Sequence, residues 1–266
     1  FNKALVLGEL SLNAKLKRVP GILDIAQHAK SQRFKRLILP QENAAEASYI
    51  KGLEVIAISD LRDIIELSKT PKLLSKYKHK YSKRNTKAQK QPHSITFNHL
   101  TGLEREKRAL SIVAAGGHNI LFSGPPGIGK TALCRSLQSI LPPMSQQDIL
   151  ETSKLYSVAN LLDQESLIHK RPFREIHHSA TKIALIGGGA KIRPGEISLA
   201  HNGVLFLDEI TEFPRQHLEN LRQPLQERFI NLSRANYNCK LPTNFTLVAT
   251  MNPCPCGKLG KNNNCQ

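Results

Sequence analysis

Acidic residues are scarce in this sequence: 21 Asp and Glu stand against 38 Lys and Arg, a formal charge of +17. Between Leu67 and Leu103 there is none at all. That imbalance points to a polyanionic partner, nucleic acid before acidic lipid. Long apolar runs are also missing. None approaches the ~20 residues that a membrane-spanning helix needs, so no membrane partner is expected. No secretory signal is visible and there is no initiator Met. The chain opens on Phe1 within a strand-like run and is expected to be a fragment, which takes weight from the missing signal. The five cysteines are odd in number and lack disulfide-scaffold spacing. That argues against the small secreted class and suits a reducing cytoplasm.

What is present falls into three stretches, and 266 residues suffice for about two domains. Residues 1–67 alternate strand-like and helix-like runs, which argues for an α/β sheet. The strand candidates are Lys3-Ala4-Leu5-Val6-Leu7, Arg36-Leu37-Ile38-Leu39-Pro40 and Glu54-Val55-Ile56-Ala57-Ile58. Asn43 with Glu46 three residues on has the form of a helix capping box. Residues 68–94 hold nine basic residues among Ser, Thr, Gln and Asn, leaving 29 basic against 21 acidic elsewhere. Like charges repel and little can be buried, so this stretch is expected to be a flexible linker. Two uses are open for it. One is a solvated tether; the other is an arm along nucleic acid, with Tyr77 and Tyr81 stacking on bases.

Residues 95–266 hold the chemistry. Gly124-Pro125-Pro126-Gly127-Ile128-Gly129-Lys130-Thr131 fits the phosphate-loop pattern in full. The glycines let backbone N–H groups turn inward to phosphate oxygens, Lys130 adds a mobile charge, and Thr131 offers a hydroxyl to Mg²⁺. Asn119-Ile120-Leu121-Phe122 reads as the strand before the loop. Residues 131–140 read as the helix after it, with its positive dipole end at the nucleotide. A glycine-rich turn that binds nothing is the plain alternative, and the flanking strand and helix argue against it. Gly203-Val204-Leu205-Phe206-Leu207-Asp208-Glu209 has the form of a Walker B strand, four apolar residues and then two carboxylates. Asp208 is placed to hold Mg²⁺ and Glu209 to polarise the attacking water. Asn244-Phe245-Thr246-Leu247-Val248-Ala249-Thr250-Met251-Asn252 reads as a third buried strand with a polar residue just past its end.

Several runs resemble the ComM-type, magnesium-chelatase-like branch of the AAA+ ATPases. They are Arg171-Pro172-Phe173-Arg174, His177-His178-Ser179-Ala180, Ile186-Gly187-Gly188-Gly189, Pro194-Gly195-Glu196-Ile197-Ser198-Leu199-Ala200-His201-Asn202-Gly203, Leu221-Arg222-Gln223-Pro224-Leu225 and Asn252-Pro253-Cys254-Pro255-Cys256-Gly257. The chain departs from that pattern at Leu103 and at Glu175-Ile176. The resemblance implies an α/β fold: a P-loop AAA+ three-layer α/β/α module over residues 95–266, ending before the lid. It also implies ATP and Mg²⁺ as cofactors, and a sensor role for Asn252, with Thr250 as the fallback. Residues 1–67 resemble the C-terminal half of a Lon-protease-like domain, through Gly8-Glu9-Leu10, residues 37–47 and Gly52-Leu53-Glu54-Val55. Ser11 stands where those proteases carry their catalytic lysine, so a peptidase is not expected.

The resemblance further implies an insert before the Walker B strand that projects towards a central pore. Residues 183–197 read as that insert, a hairpin with a glycine-rich, basic tip. Lys191 and Arg193 are its candidates for nucleic-acid phosphates, and Arg234 on a second hairpin over residues 230–241 is a weaker one. Charge on a solvated loop is the bland reading of all three. His177 and His178 are adjacent and are read as structural. Cys254, Cys256 and Cys265 follow C-x-C-x₈-C, three ligands where structural zinc wants four. A split Zn²⁺ loop and reduced thiols both stay open. The function expected is an ATP-hydrolysing motor, a hexamer that moves single-stranded or branched DNA. The resemblance makes it a helicase or translocase for branch migration in natural transformation. A chelatase-like ATPase that remodels a partner protein, and a nucleotide-gated scaffold without turnover, are the alternatives.

Overall fold

The computed structural model describes residues 3–70, 73–79, 96–162, 167–189, 192–234 and 237–254. The elements run β1 (Ala4–Val6), β2 (Glu9–Leu10), β3 (Leu16–Lys17), α1 (Ile22–Ser31), β4 (Arg36–Pro40), α2 (Gln41–Ala47), β5 (Glu54–Ile58), α3 (Leu61–Lys69) and α4 (Leu74–Tyr77). Then come α5 (Glu104–Gly116), β6 (Ile120–Ser123), α6 (Lys130–Ser136), α7 (Gln146–Val158), β7 (Phe173–Ile176), α8 (Lys182–Ile186), β8 (Gly187–Gly188), β9 (Arg193–Pro194) and α9 (Glu196–Leu199). Last are β10 (Val204–Leu207), α10 (Arg215–Glu219), α11 (Arg222–Glu227), β11 (Phe229–Arg234), β12 (Tyr237–Pro242) and β13 (Thr246–Met251).

The chain divides into two compact units that are not consecutive in sequence. One is Phe1–Gln89 with Ile149–Ile168; the other is Lys90–Asp148 with His169–Gln266. Most of α7 therefore belongs to the first unit, although it follows the phosphate loop in the chain.

In the first unit β1, β4 and β5 form a parallel sheet in the order β1-β4-β5. Residues Ile22, Leu23, Ala26 and Ala29 recur at helical spacing, and all four are fully buried on α1. Asn43 and Glu46 do not cap α2. The helix starts at Gln41 behind Pro40, whose fixed φ sets the entry. That places both polar side chains inside. Asn43 donates to Val19 O at 3.0 Å and accepts from Val19 N at 2.8 Å, like a strand partner. Glu46 accepts from Arg18 at 3.1 Å and from the Ser157 hydroxyl. The capping box of this unit is on α3, where Asp60 and Asp63 cap each other's backbone. Residues 149–158 are held by the Lys154–Asp24 ion pair at 2.9 Å and by Gly21 N donating to Ser157 O at 3.1 Å.

The expected linker is folded at its front. Leu73, Leu74 and Tyr77 pack against the buried cluster of Ile38, Ile56, Ile58 and Leu67. Lys78 bridges Ile56, and His79 N donates to Val55 O at 2.9 Å. The three apolar side chains overcome the local charge. Tyr77 spends its hydroxyl on Asp63 at 3.2 Å, so it is a packed residue of this unit and not a base-stacking one. Tyr81 and the rest of the linker as far as residue 95 lie outside the described residues.

The second unit is built on a parallel sheet in the order β6-β13-β10-β7. The central strand β10 is fully buried along its length, as a strand covered on both faces must be. Its side chains alternate between two cores. Val204 and Phe206, with Val248, meet Leu110, Val113, Leu133 and Leu137 on α5, α6 and the turn after it. Leu205 and Leu207, with Ala249, meet Leu185, Ile197, Phe213 and Leu221 on the other side. The result is three layers, helices over both faces of one sheet. Residues 183–186, expected as a hairpin arm, form α8. Among the described residues, the two-residue strands β8 and β9 pair beyond it. The second hairpin is β11 with β12, antiparallel over six residue pairs. Among the described residues, no helix is long and apolar enough to cross a membrane.

Candidate nucleotide site

The three motifs meet at one end of the sheet of the second unit. Strands β6, β10 and β13 run parallel, so the residues after each leave from the same edge. The loop follows β6, Asp208-Glu209 follows β10, and Asn252 follows β13. Gly127 and Gly129 have φ of 82° and 87°, a left-handed backbone that favours glycine. A Cβ at either would meet nothing within 4 Å, so the loop backbone borders open space. This is a cradle of the kind that phosphates occupy, and α6 opens directly from it.

Lys130 lies across the mouth of the loop. Its Nζ donates to Gly124 O at 2.6 Å, Pro125 O at 2.9 Å and Asn252 Oδ1 at 3.2 Å. Asn252 in turn donates from Nδ2 to Glu209 Oε1 at 3.3 Å. One amide thus joins the loop lysine to the second carboxylate. Thr131 donates to Asp208 Oδ2 at 3.0 Å. Thr250 donates to the other oxygen, Oδ1, and accepts from Glu209 N at 3.0 Å. Thr250 is fully buried, so geometry separates the two sensor candidates. Asn252 faces the loop, while Thr250 holds both carboxylate residues from behind. Glu209 has φ 54°, a costly conformation for a non-glycine residue, and the Thr250 bond pins its backbone.

The donor set suits the cofactors. Thr131 and Asp208 supply hard oxygens, the chemistry that Mg²⁺ prefers. Beneath them Cys134 is fully buried. Burial first, and then the Asp208 charge, push its thiol up to about 12, with Lys130 pulling the other way. One turn along α6, Arg135 forks onto Glu175 at 2.8 and 3.0 Å. That hydrogen bond raises the Arg135 pKa further. No sequence signal announces this pair, because the partners stand 40 residues apart.

His177 and His178 follow β7, with ring centroids 4.1 Å apart. His177 Nδ1 pairs with Ser179 Oγ at 2.8 Å, and His178 meets Phe213 edge-on. Among the described residues, no three or more His, Cys, Asp or Glu side chains gather in a group that could hold a metal ion. Of the zinc candidates, Cys256 and Cys265 lie outside the described residues, and only Cys254 is placed. Lys191 is also outside them. Arg193 is exposed on β9, and Arg234 ends β11.

The family model of magnesium chelatase, subunit ChlI, matches residues 96–266. The chain belongs to this family. A second model, subunit ChlI of Mg-chelatase, matches residues 1–43. Within the ChlI family the chain is of the ComM/YifB type. It is 40% identical to the Escherichia coli (strain K12) protein YifB over 97% of this chain and 50% of that one. It is 40% identical to competence protein ComM of Haemophilus influenzae over 94% and 49%. The chain therefore spans about half the length of the curated relatives it matches. Among solved structures it is similar to a chain of the magnesium chelatase BchI–BchD complex, at 21% identity and a TM-score of 0.46, over 56% of this chain and 52% of that one. The fold class is that of the P-loop AAA+ ATPases, a family of ATP- and Mg²⁺-using proteins.

Proposed function

We propose that this ChlI-family chain carries the ATP-hydrolysing core of a DNA-translocating ring, a hexamer that promotes branch migration during transformation in the cytoplasm. The observation that carries the hydrolytic part is the run of contacts from Lys130 through Asn252 to Glu209. It ties the residue placed for the outer phosphates to the residue placed for water. In this reading the loop N–H groups and Lys130 bind the phosphates, and Thr131 and Asp208 hold Mg²⁺. When bound, the ion neutralises charge on the phosphate oxygens. Glu209 takes the proton of the attacking water, and Asn252 fixes the direction of that carboxylate. The arginine finger and lid of such motors are assigned to no residue of this chain.

The DNA part rests on the charge of +17 and on the competence role in the name of the relative from Haemophilus influenzae. Arg193, Lys191 and Arg234 are the proposed phosphate contacts. The chelatase description of the family model supports a second reading, an ATPase that remodels a partner protein. An ATPase assay with and without forked DNA separates them. DNA-stimulated turnover with strand separation, lost in Lys130→Ala, supports the motor. Turnover indifferent to DNA overturns it in favour of protein remodelling. Nucleotide-dependent assembly without turnover would leave a scaffold.

A further inference from the structure

The three parallel strands of the first unit all begin at one edge of their sheet. Cations gather at that edge. Lys3 precedes β1, Arg33 and Lys35 precede β4, Lys51 precedes β5, and Lys30 lies in the last turn of α1. The backbone holds these stretches together. Lys35 N donates to Lys3 O at 2.9 Å, Glu54 N to Lys35 O at 3.0 Å, and Arg33 N to Lys30 O at 3.0 Å. Gly52 closes the group, since a Cβ on it would lie 3.8 Å from Lys30 Nζ. All five basic side chains are exposed. Among the described residues, none of the five forms an ion pair.

Carboxylates are sorted to the other edge. Glu9, Glu42 and Asp60 follow β1, β4 and β5, and Asp24 lies in the first turn of α1. Glu54 does open β5 at the basic edge. Both its oxygens are taken there, by Arg36 at 2.8 Å and by Lys78 at 3.0 Å. Outside the described residues, the acidic residues of this unit are Asp163 and Glu165. Two carboxylates cannot balance five cations, so the edge stays basic wherever those two lie.

Like charges this close repel, and a polyanion relieves them. The layout selects which polyanion. Neighbouring strands stand about 4.8 Å apart, so the cations form a row across the sheet, which suits a line of phosphates. Ser31 and Gln32 are exposed beside Lys30 and Arg33 and add the neutral donors that phosphate oxygens also accept. A lipid surface calls for an apolar wedge beside the basic residues. Among the described residues, the exposed large apolar side chains of this unit are Val6, Leu10, Leu12 and Ile65, and none belongs to a stretch at this edge. We infer that this edge of the first unit binds the phosphate backbone of nucleic acid without regard to base sequence. The inference rests on the DNA reading for the polymer and on the first unit alone for the place.

The test is binding of a short fluorescent DNA duplex to the 266-residue chain across a salt series, without nucleotide. Lys30→Gln, Lys35→Gln and Lys51→Gln together remove three phosphate contacts. The slope of log affinity against log salt should then become shallower by roughly 2 to 3, with affinity at low salt down about tenfold or more. The control is Lys15→Gln, Lys17→Gln and Arg62→Gln, with the same loss of charge. Those residues lie at the opposite edge, where Leu16 N donates to Ser59 O at 3.1 Å and Leu61 N to Ala14 O at 3.0 Å. The control should keep most of the slope. Lysine acylation of the wild-type chain reads the same surface without any variant. Bound duplex should slow labelling of Lys30, Lys35 and Lys51 about threefold or more, and leave Lys15 and Lys17 unchanged.

Equal slopes in the two variants overturn the inference, because net charge alone would then act. So does a wild-type chain that does not bind the duplex. Polyglutamate or phosphatidylserine vesicles that protect the three lysines as well as the duplex does would assign the edge to an acidic protein or to lipid instead. An unchanged slope with DNA-stimulated turnover intact defeats this surface and leaves the motor reading standing. Protected lysines in a chain whose turnover ignores DNA do the reverse.

Discussion

Asn252 Oδ1 lies 3.2 Å from Lys130 Nζ, so the residue after β13 is tied directly to the phosphate loop that follows β6. Its Nδ2 is spent on Glu209. Asn252→Ala should therefore leave ATP binding within about threefold while turnover falls about 100-fold, the scale of losing one preorganised polar group. Lys130→Ala should lose binding itself. Nucleotide affinity by fluorescence titration and turnover by phosphate release separate the two. Equal losses of affinity in both variants would remove Asn252 from the positioning role.

Thr250 carries a different load. It is fully buried, donates to Asp208 and accepts from Glu209 N. Thr250→Val keeps the shape and leaves two polar groups without that hydroxyl. The expected cost is about 2 kcal/mol in urea unfolding. Turnover should fall by roughly one to two orders of magnitude through misplaced carboxylates. A variant as stable as wild type would mean that both partners find water instead.

The site was legible because each part is contiguous in the chain. Gly124 to Thr131 forms one loop, and Asp208-Glu209 ends one apolar run, so residue type and neighbour sufficed. The resemblance favours Asn252 as the sensor with Thr250 as the fallback; what it does not show is that Thr250 binds both Asp208 and the Glu209 backbone, because those partners stand 42 and 41 residues back in the chain. Arg135 and Glu175 meet only because α6 lies over the sheet. Asn43 and Glu46 carried a true pattern with the wrong meaning: Pro40 starts α2 early and turns both side chains inward. The front of the linker misled for another reason. Charge counting outweighed Leu73, Leu74 and Tyr77, whose partners lie far back in the sequence.

Glu54 supplies a pH signature for that same segment. Hydrogen bonds from Arg36, and then from Lys78, hold its pKa below its ordinary 4.5. A carboxylate with a depressed folded pKa stabilises the fold above its unfolded pKa, and that contribution disappears as pH falls through the folded value. Glu54→Gln should therefore lower the Tm at pH 7 by about 1–3 °C, a modest shift because the partners are partly exposed. The gap to wild type should close as the pH falls below 4.5 and through that lowered value. A gap unchanged by acid would exclude the carboxylate charge as its source.

Cys134 should be chemically silent in the folded chain. Its thiol is fully buried and pushed up to about 12, so almost no thiolate exists at pH 8, and the thiolate is the reactive form. Cys239 is only half-buried. Iodoacetamide at pH 8 should label Cys239 in the native protein and reach Cys134 only after urea unfolding, as read by peptide mass spectrometry. Native labelling at Cys134 at the rate of Cys239 would show that the core beneath Asp208 opens readily.

Glu46 tests whether residues 149–168 are a working part of the first unit. Its side chain is buried and receives Arg18 at 3.1 Å and the hydroxyl of Ser157, which stands 111 residues away. Removing the carboxylate strands the Arg18 charge, so Glu46→Ala should cost about 3 kcal/mol. Ser157→Ala deletes one hydrogen bond to a charged group and should cost about 1.5 kcal/mol. If the two side chains act on each other, the double variant costs less than the sum of the singles, because Ser157 has nothing left to lose once Glu46 is gone. Urea unfolding of all four proteins gives that coupling directly. Strict additivity would mean that α7 rests against this unit without the Glu46–Ser157 bond holding it.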